Sequence, residues 1–171
     1  MTKSRPAVDD AAALLALVQA GGALGRVLDH ATRRAASLTL SQHQVLAALL
    51  SADPAPMEPR QIGAVIGSGS AHVTVLLDQL ERAGALERRA HDTDRRRRAI
   101  VLTDAGRERA RASTEAVTAA ARVVIARAGG LTGDDILQVA GPLDGAVGDV
   151  AGAVWLVGEG DPGRTPIPGG R

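Results

Sequence analysis

The feature that most constrains this chain is the charge run His91-Asp92-Thr93-Asp94-Arg95-Arg96-Arg97-Arg98, which lies between two short apolar segments. Leu86 precedes it, and Ile100-Val101-Leu102 leads out of it into Thr103-Asp104-Ala105-Gly106. A turn rich in Asp and Arg between two such segments predicts a hairpin with a basic tip. Upstream, Ala71 to Ala83 has helical periodicity and stops at Gly84, a residue suited to a helix C-terminal cap. A helix, a hairpin with arginines at its tip, and a second helix make the layout of a winged helix-turn-helix. Basic tips of this kind reach for nucleic-acid phosphates and narrow grooves.

Composition bounds the rest. A chain of 171 residues is one domain, or one domain with appended helices. Its 20 basic and 19 acidic residues leave a net charge of +1, so the total says nothing about partners. The distribution does, because Glu87 to Arg98 holds six arginines against three acids, a local +3. Cysteine is absent, which removes disulfides, thiolate metal sites and thiol redox switching. His30, His43, His72 and His91 show no paired metal spacing, so no cofactor or metal is expected. No apolar run reads as long enough to span a bilayer, and the N-terminus lacks the order of a signal peptide. The expectation is a cytoplasmic protein with no membrane partner. Trp155 is the one aromatic residue, so the core must be built from Ala, Val, Leu and Ile. Such small side chains suggest a core completed by dimerisation.

Met1 to Val8 reads as a loose leader, followed by a helix from Asp9 to about Ser37 with Asp9 or Asp10 as its cap. Small and apolar residues at 14, 17, 21, 24, 28, 31 and 35 form a seam for another helix. Gly21, Gly22 and Gly25 interrupt it at a cost of about 1 kcal/mol each against alanine, and permit close contact or a kink. Ser41 is expected to cap a second helix, Gln42 to about Ser51, burying Val45, Leu46, Leu49 and Leu50. A short helix from Pro59 to Ile66 and the turn Gly67-Ser68-Gly69 lead to a helix starting at Ser70. Thr103 caps a long helix that Gly129-Gly130 stops. Thr132 opens the last one with Asp135 three residues on, and Gly141-Pro142 should kink or divide it. The stripes Ala110, Thr114, Val117, Ala121, Val124, Ala128 and Ile136, Ala140, Leu143, Val147, Val150, Val154 repeat the helical seam. The tail from Gly158 has nothing to bury.

Four pieces in this order resemble the multiple antibiotic resistance regulator (MarR) family of bacterial transcription regulators. They are Leu38 to Leu46, then Val73-Thr74 through Leu80-Glu81-Arg82-Ala83-Gly84, then Arg88-Arg89 with Asp92-Thr93-Asp94-Arg95-Arg96, and last Leu102 to Gly106. The resemblance implies a mainly α fold with a small β-hairpin wing, flanked by N- and C-terminal dimerisation helices. It divides the chain into a leader and dimerisation helix (1–37), a winged helix-turn-helix (38–104), dimerisation helices (105–157) and a tail (158–171). It also implies a homodimer, triangular in outline, acting as a repressor on a pseudo-palindromic site in double-stranded DNA. A small-molecule effector would bind between the DNA lobe and the dimerisation helices.

The helix at 70–83 would then enter the major groove, with Ser70 and Thr74 for phosphates or bases, His72 and Gln79 for base edges, and Ala71 or Val75 against thymine methyls. Family members often carry arginines where this chain has Val75 and Gln79. Ser70 to Gly84 has two acids and one base, so the reading favours an A·T-leaning site read partly by shape. In the wing, Asp94 would orient the turn and Arg96 enter the minor groove, since a guanidinium suits its negative potential. Arg88, Arg95 and Arg97 would contact phosphates where they face outward, and strand alternation allows about half of such residues to do so. Arg26, His30, Thr39 and His43 are candidate pocket residues. Two readings compete with a regulator. One is a winged-helix interaction or co-regulatory module. The other, an enzyme, finds no nucleophile–base pair, phosphate loop or metal set.

Overall fold

The computed structural model describes residues 9–90 and 98–143. Helix α1 (Asp10–Ala36) starts at the cap Asp9, whose carboxylate accepts from Ala11 N at 3.1 Å. It runs unbroken through Gly21, Gly22 and Gly25. A methyl group at Gly21 or Gly25 would meet nothing within 4 Å, so these two glycines serve no close approach among the described residues. Ser37 ends the helix in the left-handed region, φ 55°.

Helix α2 (Leu40–Ala52) begins two residues earlier than the sequence suggests, and its cap is Thr39 rather than Ser41. The reason is a capping box. Gln42 N donates to Thr39 Oγ1 at 3.1 Å, and Thr39 N donates to Gln42 Oε1 at 2.9 Å, which satisfies two end groups together. α3 (Pro59–Ile66) and α4 (Ser70–Arg82) follow, joined by a turn in which Gly67 takes φ 62°. Gly63 is required by packing, because a Cβ there would lie 2.9 Å from Ser68 O.

Strands β1 (Leu86–Ala90) and β2 (Arg98–Leu102) pair antiparallel, with Leu86 opposite Leu102 and Arg88 opposite Ile100. Met57 extends this pairing by exchanging backbone hydrogen bonds with Ile100 at 2.8 and 3.1 Å. The hairpin is thereby anchored to the loop between α2 and α3. Helix α5 (Asp104–Arg127) starts at Thr103, which accepts from Gly106 N at 3.0 Å and donates to Gly84 O at 2.7 Å. Gly106 has no room for a side chain, since an added Cβ would sit 1.8 Å from Ala85 O.

The core gathers Leu38, Val45, Leu46, Leu49, Ile62, Val73, Leu76, Leu77, Leu80, Leu86, Ile100 and Leu102. α2 sits at its centre, packed on α1, α3, α4 and β2. Each fully buried Val, Leu or Ile contributes about 1.5–3 kcal/mol, so aliphatic residues suffice here without aromatic ones. Arg107 ties the start of α5 to the end of α2 through both oxygens of Asp53, at 2.8 and 3.0 Å. That guanidinium holds the Asp53 carboxyl below its ordinary value.

The chain divides into two compact units at Val123–Val124. In the second, residues 133–143 are helical, and Thr132 and Asp135 form the expected reciprocal start. This helix includes Gly141 and Pro142 and is described as far as Leu143, so the expected kink or division falls at the edge of the described residues. Val147, Val150, Val154, Trp155 and the tail lie outside the described residues.

One expectation is overturned by α1. It is long and apolar enough, by length and composition, to cross a membrane. Leu14, Leu15, Leu17 and Val18 are 46–71% exposed, so the apolar surface runs around most of its N-terminal half.

Candidate nucleic-acid interface

The buried side of α4 is Val73, Leu76, Leu77 and Leu80, which turns Ser70, Ala71, His72, Thr74, Val75 and Gln79 to solvent. All six candidate residues of this helix therefore stand on one exposed surface. Thr74 Oγ1 donates its proton to Ser70 O at 2.9 Å, so the hydroxyl faces outward as an acceptor. Gln79 Oε1 accepts from Gln42 Nε2 at 3.0 Å. Beside this surface, α3 and α4 enclose a groove of about 570 Å³ edged by Arg60, Ser68, Ser70 and Thr74.

Two acids on α4 would repel a phosphate backbone, and the structure shows what offsets them. Arg88 on β1 donates to Asp78 through Nη2 and pairs with Glu81 at 3.1 Å through Nη1. This corrects the expectation for Arg88. The residue is partly buried against α4, its guanidinium is committed to two carboxylates, and it is not an outward phosphate ligand. Strand alternation brings it to the same side as Leu86, while Glu87 and Arg89 pair with each other on the exposed side. Arg98 is exposed. Asp94, Arg95, Arg96 and Arg97, with His91, lie outside the described residues.

The four candidate pocket residues separate into two pairs. Arg26 and His30 edge a groove of about 460 Å³ with Gly22, Gly25, Asp29, Arg33 and Leu40. Thr39 is not part of that lining, because its hydroxyl caps α2. His43 is buried and turned toward α5, with Nδ1 2.9 Å from Ser113 Oγ. Ser113 gives its own proton to Ala110 O at 3.0 Å, so it accepts from His43, whose Nδ1 carries the hydrogen. Burial pushes the His43 imidazole below its ordinary value of 6.5. It is a core tie between α2 and α5.

Asp29 is the groove residue that the sequence reading missed. Its Oδ2 accepts from Arg33 Nε at 2.5 Å, and its Oδ1 accepts from Leu40 N at 2.9 Å, at the start of α2. The Arg33 guanidinium, and then the Leu40 amide, hold this carboxyl below its ordinary range. The i,i+4 spacing of Asp29 and Arg33 was visible in the sequence. The bond to Leu40 was not. Arg26 and His30 make no hydrogen bond among the described residues.

A helix-turn-helix backed by a two-stranded wing and flanked by helices defines the winged-helix class of nucleic-acid-binding folds. Residues 36–97 match the family model described as MarR family, and over that stretch the chain is MarR-like. No curated protein matches the chain by sequence. Among solved structures it is similar to the Mycobacterium tuberculosis transcriptional regulator MOSR in complex with DNA, with TM-score 0.67 and 24% identity over 81% of this chain and 97% of that one. CouR from Rhodococcus jostii RHA1, bound to p-coumaroyl-CoA, gives TM-score 0.64 and 25% identity over 79% and 90%. AbsC, a MarR family transcriptional regulator from Streptomyces coelicolor, gives TM-score 0.66 and 20% identity over 88% and 98%. The fold is that of a MarR-family transcription regulator.

Proposed function

We propose that this protein is a dimeric transcription regulator, a repressor controlled by a small molecule, that reads a pseudo-palindromic DNA site and catalyses no reaction. The observation that carries the reading is the exposed row Ser70, Ala71, Thr74, Val75 and Gln79 on α4, mounted beside an arginine-rich hairpin. The solved complex of MOSR with DNA supports it. Arg96, with Arg95 and Arg97, supplies the electrostatic part of binding from the wing, oriented by Asp94.

The exposed leucines of α1 support a dimer, because a surface so apolar is costly in water and two copies would cover it. Two lobes related by a two-fold axis would place half-sites about one helical turn apart. The effector would enter the α1 groove. Arg26 and His30 stand one turn apart as donors without acceptors among the described residues, and Gly22 and Gly25 leave the wall low. That chemistry suits an anion, and the phosphate-bearing ligand of CouR is in keeping with it.

A second reading, a protein-docking winged helix, is favoured by the exposure of Val65 (64%) on α3 and Val75 (50%) on α4. Selection from random duplex DNA at moderate salt separates the two. An enriched palindrome with half-sites about ten base pairs apart supports the regulator. Salt-sensitive background binding with no enriched sequence overturns it in favour of protein docking.

A further inference from the structure

Gln42 lies behind the exposed face of α4, and its side-chain amide is fixed at both ends. Thr39 N–H can only donate, and it donates to Gln42 Oε1 at 2.9 Å. The oxygen of Gln42 is therefore identified by its partner, and its nitrogen must be the atom facing Gln79. Gln42 Nε2 donates to Gln79 Oε1 at 3.0 Å. The orientation of the second amide follows from the first. Gln79 has its oxygen turned inward to Gln42 and keeps its NH₂ group for the solvent side of α4.

We infer that Gln42 is a positioning residue that sets Gln79 as a hydrogen-bond donor toward the major groove. The inference rests on α4 being the base-reading helix proposed above. A free glutamine pairs with adenine by accepting from N6 and donating to N7, which uses both ends of its amide. With Oε1 held by Gln42, only the donating half is presented. On their major-groove edges cytosine offers only an amino donor, thymine one acceptor, O4, and adenine one acceptor beside a donor, whereas guanine offers two adjacent acceptors, O6 and N7. The base that best takes both protons of the Gln79 NH₂ group is accordingly guanine, once in each half-site. This departs from the A·T-leaning site that the residue types of α4 alone suggest.

The decisive variant is Gln42→Glu. A carboxylate still accepts from Thr39 N–H, since Glu is a regular partner in this capping box, so α2 keeps its start. It has no proton to give Gln79. The Gln79 amide must then turn over, donate its NH₂ to the carboxylate and show its oxygen to the DNA. Random-duplex selection is run on the wild type, on Gln42→Glu and on Gln79→Ala. The expected result is guanine at one position of each half-site for the wild type. Gln42→Glu should switch that position to a base with an amino donor, cytosine or adenine, by about tenfold or more in relative preference. Gln79→Ala should lose preference at the same position and nowhere else. A change of base identity cannot come from lost stability, which would weaken all sequences alike. A wild-type motif that Gln42→Glu leaves unaltered at every position overturns the role of Gln42 while the regulator reading stands. A wild type that enriches no motif overturns base reading by α4 and this inference with it.

Discussion

At the scale of single residues, partners decide roles more than residue types do. Arg88 belongs by sequence to an arginine-dense wing, yet its guanidinium is consumed by Asp78 and Glu81. Arg88→Ala should therefore cost about 1 kcal/mol of stability, as expected for a partly exposed ion-pair network. It should weaken DNA binding without changing the slope of log affinity against log salt. Arg97→Ala, which removes a phosphate contact from each of the two wings, should by contrast reduce that slope by about 1.8, or about 0.9 per contact on duplex DNA. Salt titrations of the two variants check both statements. His43 gives a pH prediction of definite sign. Its folded imidazole sits below 6.5, so between that ordinary value and the depressed one the unfolded chain binds a proton that the folded chain refuses. Its contribution is fully present above pH 6.5 and is lost as pH falls through that window. His43→Asn keeps a donor for Ser113 and cannot titrate, so the fall in thermal midpoint between pH 6.5 and 5 should be shallower than in the wild type.

At the scale of elements, the fold was legible where the signal was local. The apolar spacing of Val73, Leu76, Leu77 and Leu80 placed α4, and Asp9, Thr103 and Thr132 marked helix starts that the structure also has. The start of α2 was misplaced because Ser41 and Thr39 are both acceptable caps by type. The decision came from Gln42 completing a box with Thr39. Thr39→Ala should lower stability by about 1 kcal/mol in urea unfolding, while Ser41→Ala should change it by less than about 0.5 kcal/mol. The opposite ranking would restore Ser41 as the cap. What sequence could not show were links between distant positions. Asp53 with Arg107, Asp29 with Leu40, and Gln42 with Gln79 join residues that no local pattern relates. The candidate interface on α4 was legible for the same reason as the helix. Of the four candidate pocket residues, Arg26 and His30 edge one groove, whereas Thr39 and His43 are taken by a cap and by the core.

At the scale of the whole molecule, the central claim is that two copies of this chain read one DNA site. The apolar half of α1 is the surface that most needs a partner, and its composition would equally suit a lipid environment. A dimer predicts that the thermal midpoint rises with protein concentration, because association stabilises the folded chains by mass action. Leu17→Glu, which places a charge in that surface, should remove the dependence and the DNA binding together. The most direct measurement is the stoichiometry of the complex with its selected duplex, determined by sedimentation equilibrium at moderate salt. Two chains per duplex, with Leu17→Glu failing to assemble, is the result this account predicts. One chain per duplex at full affinity would contradict it.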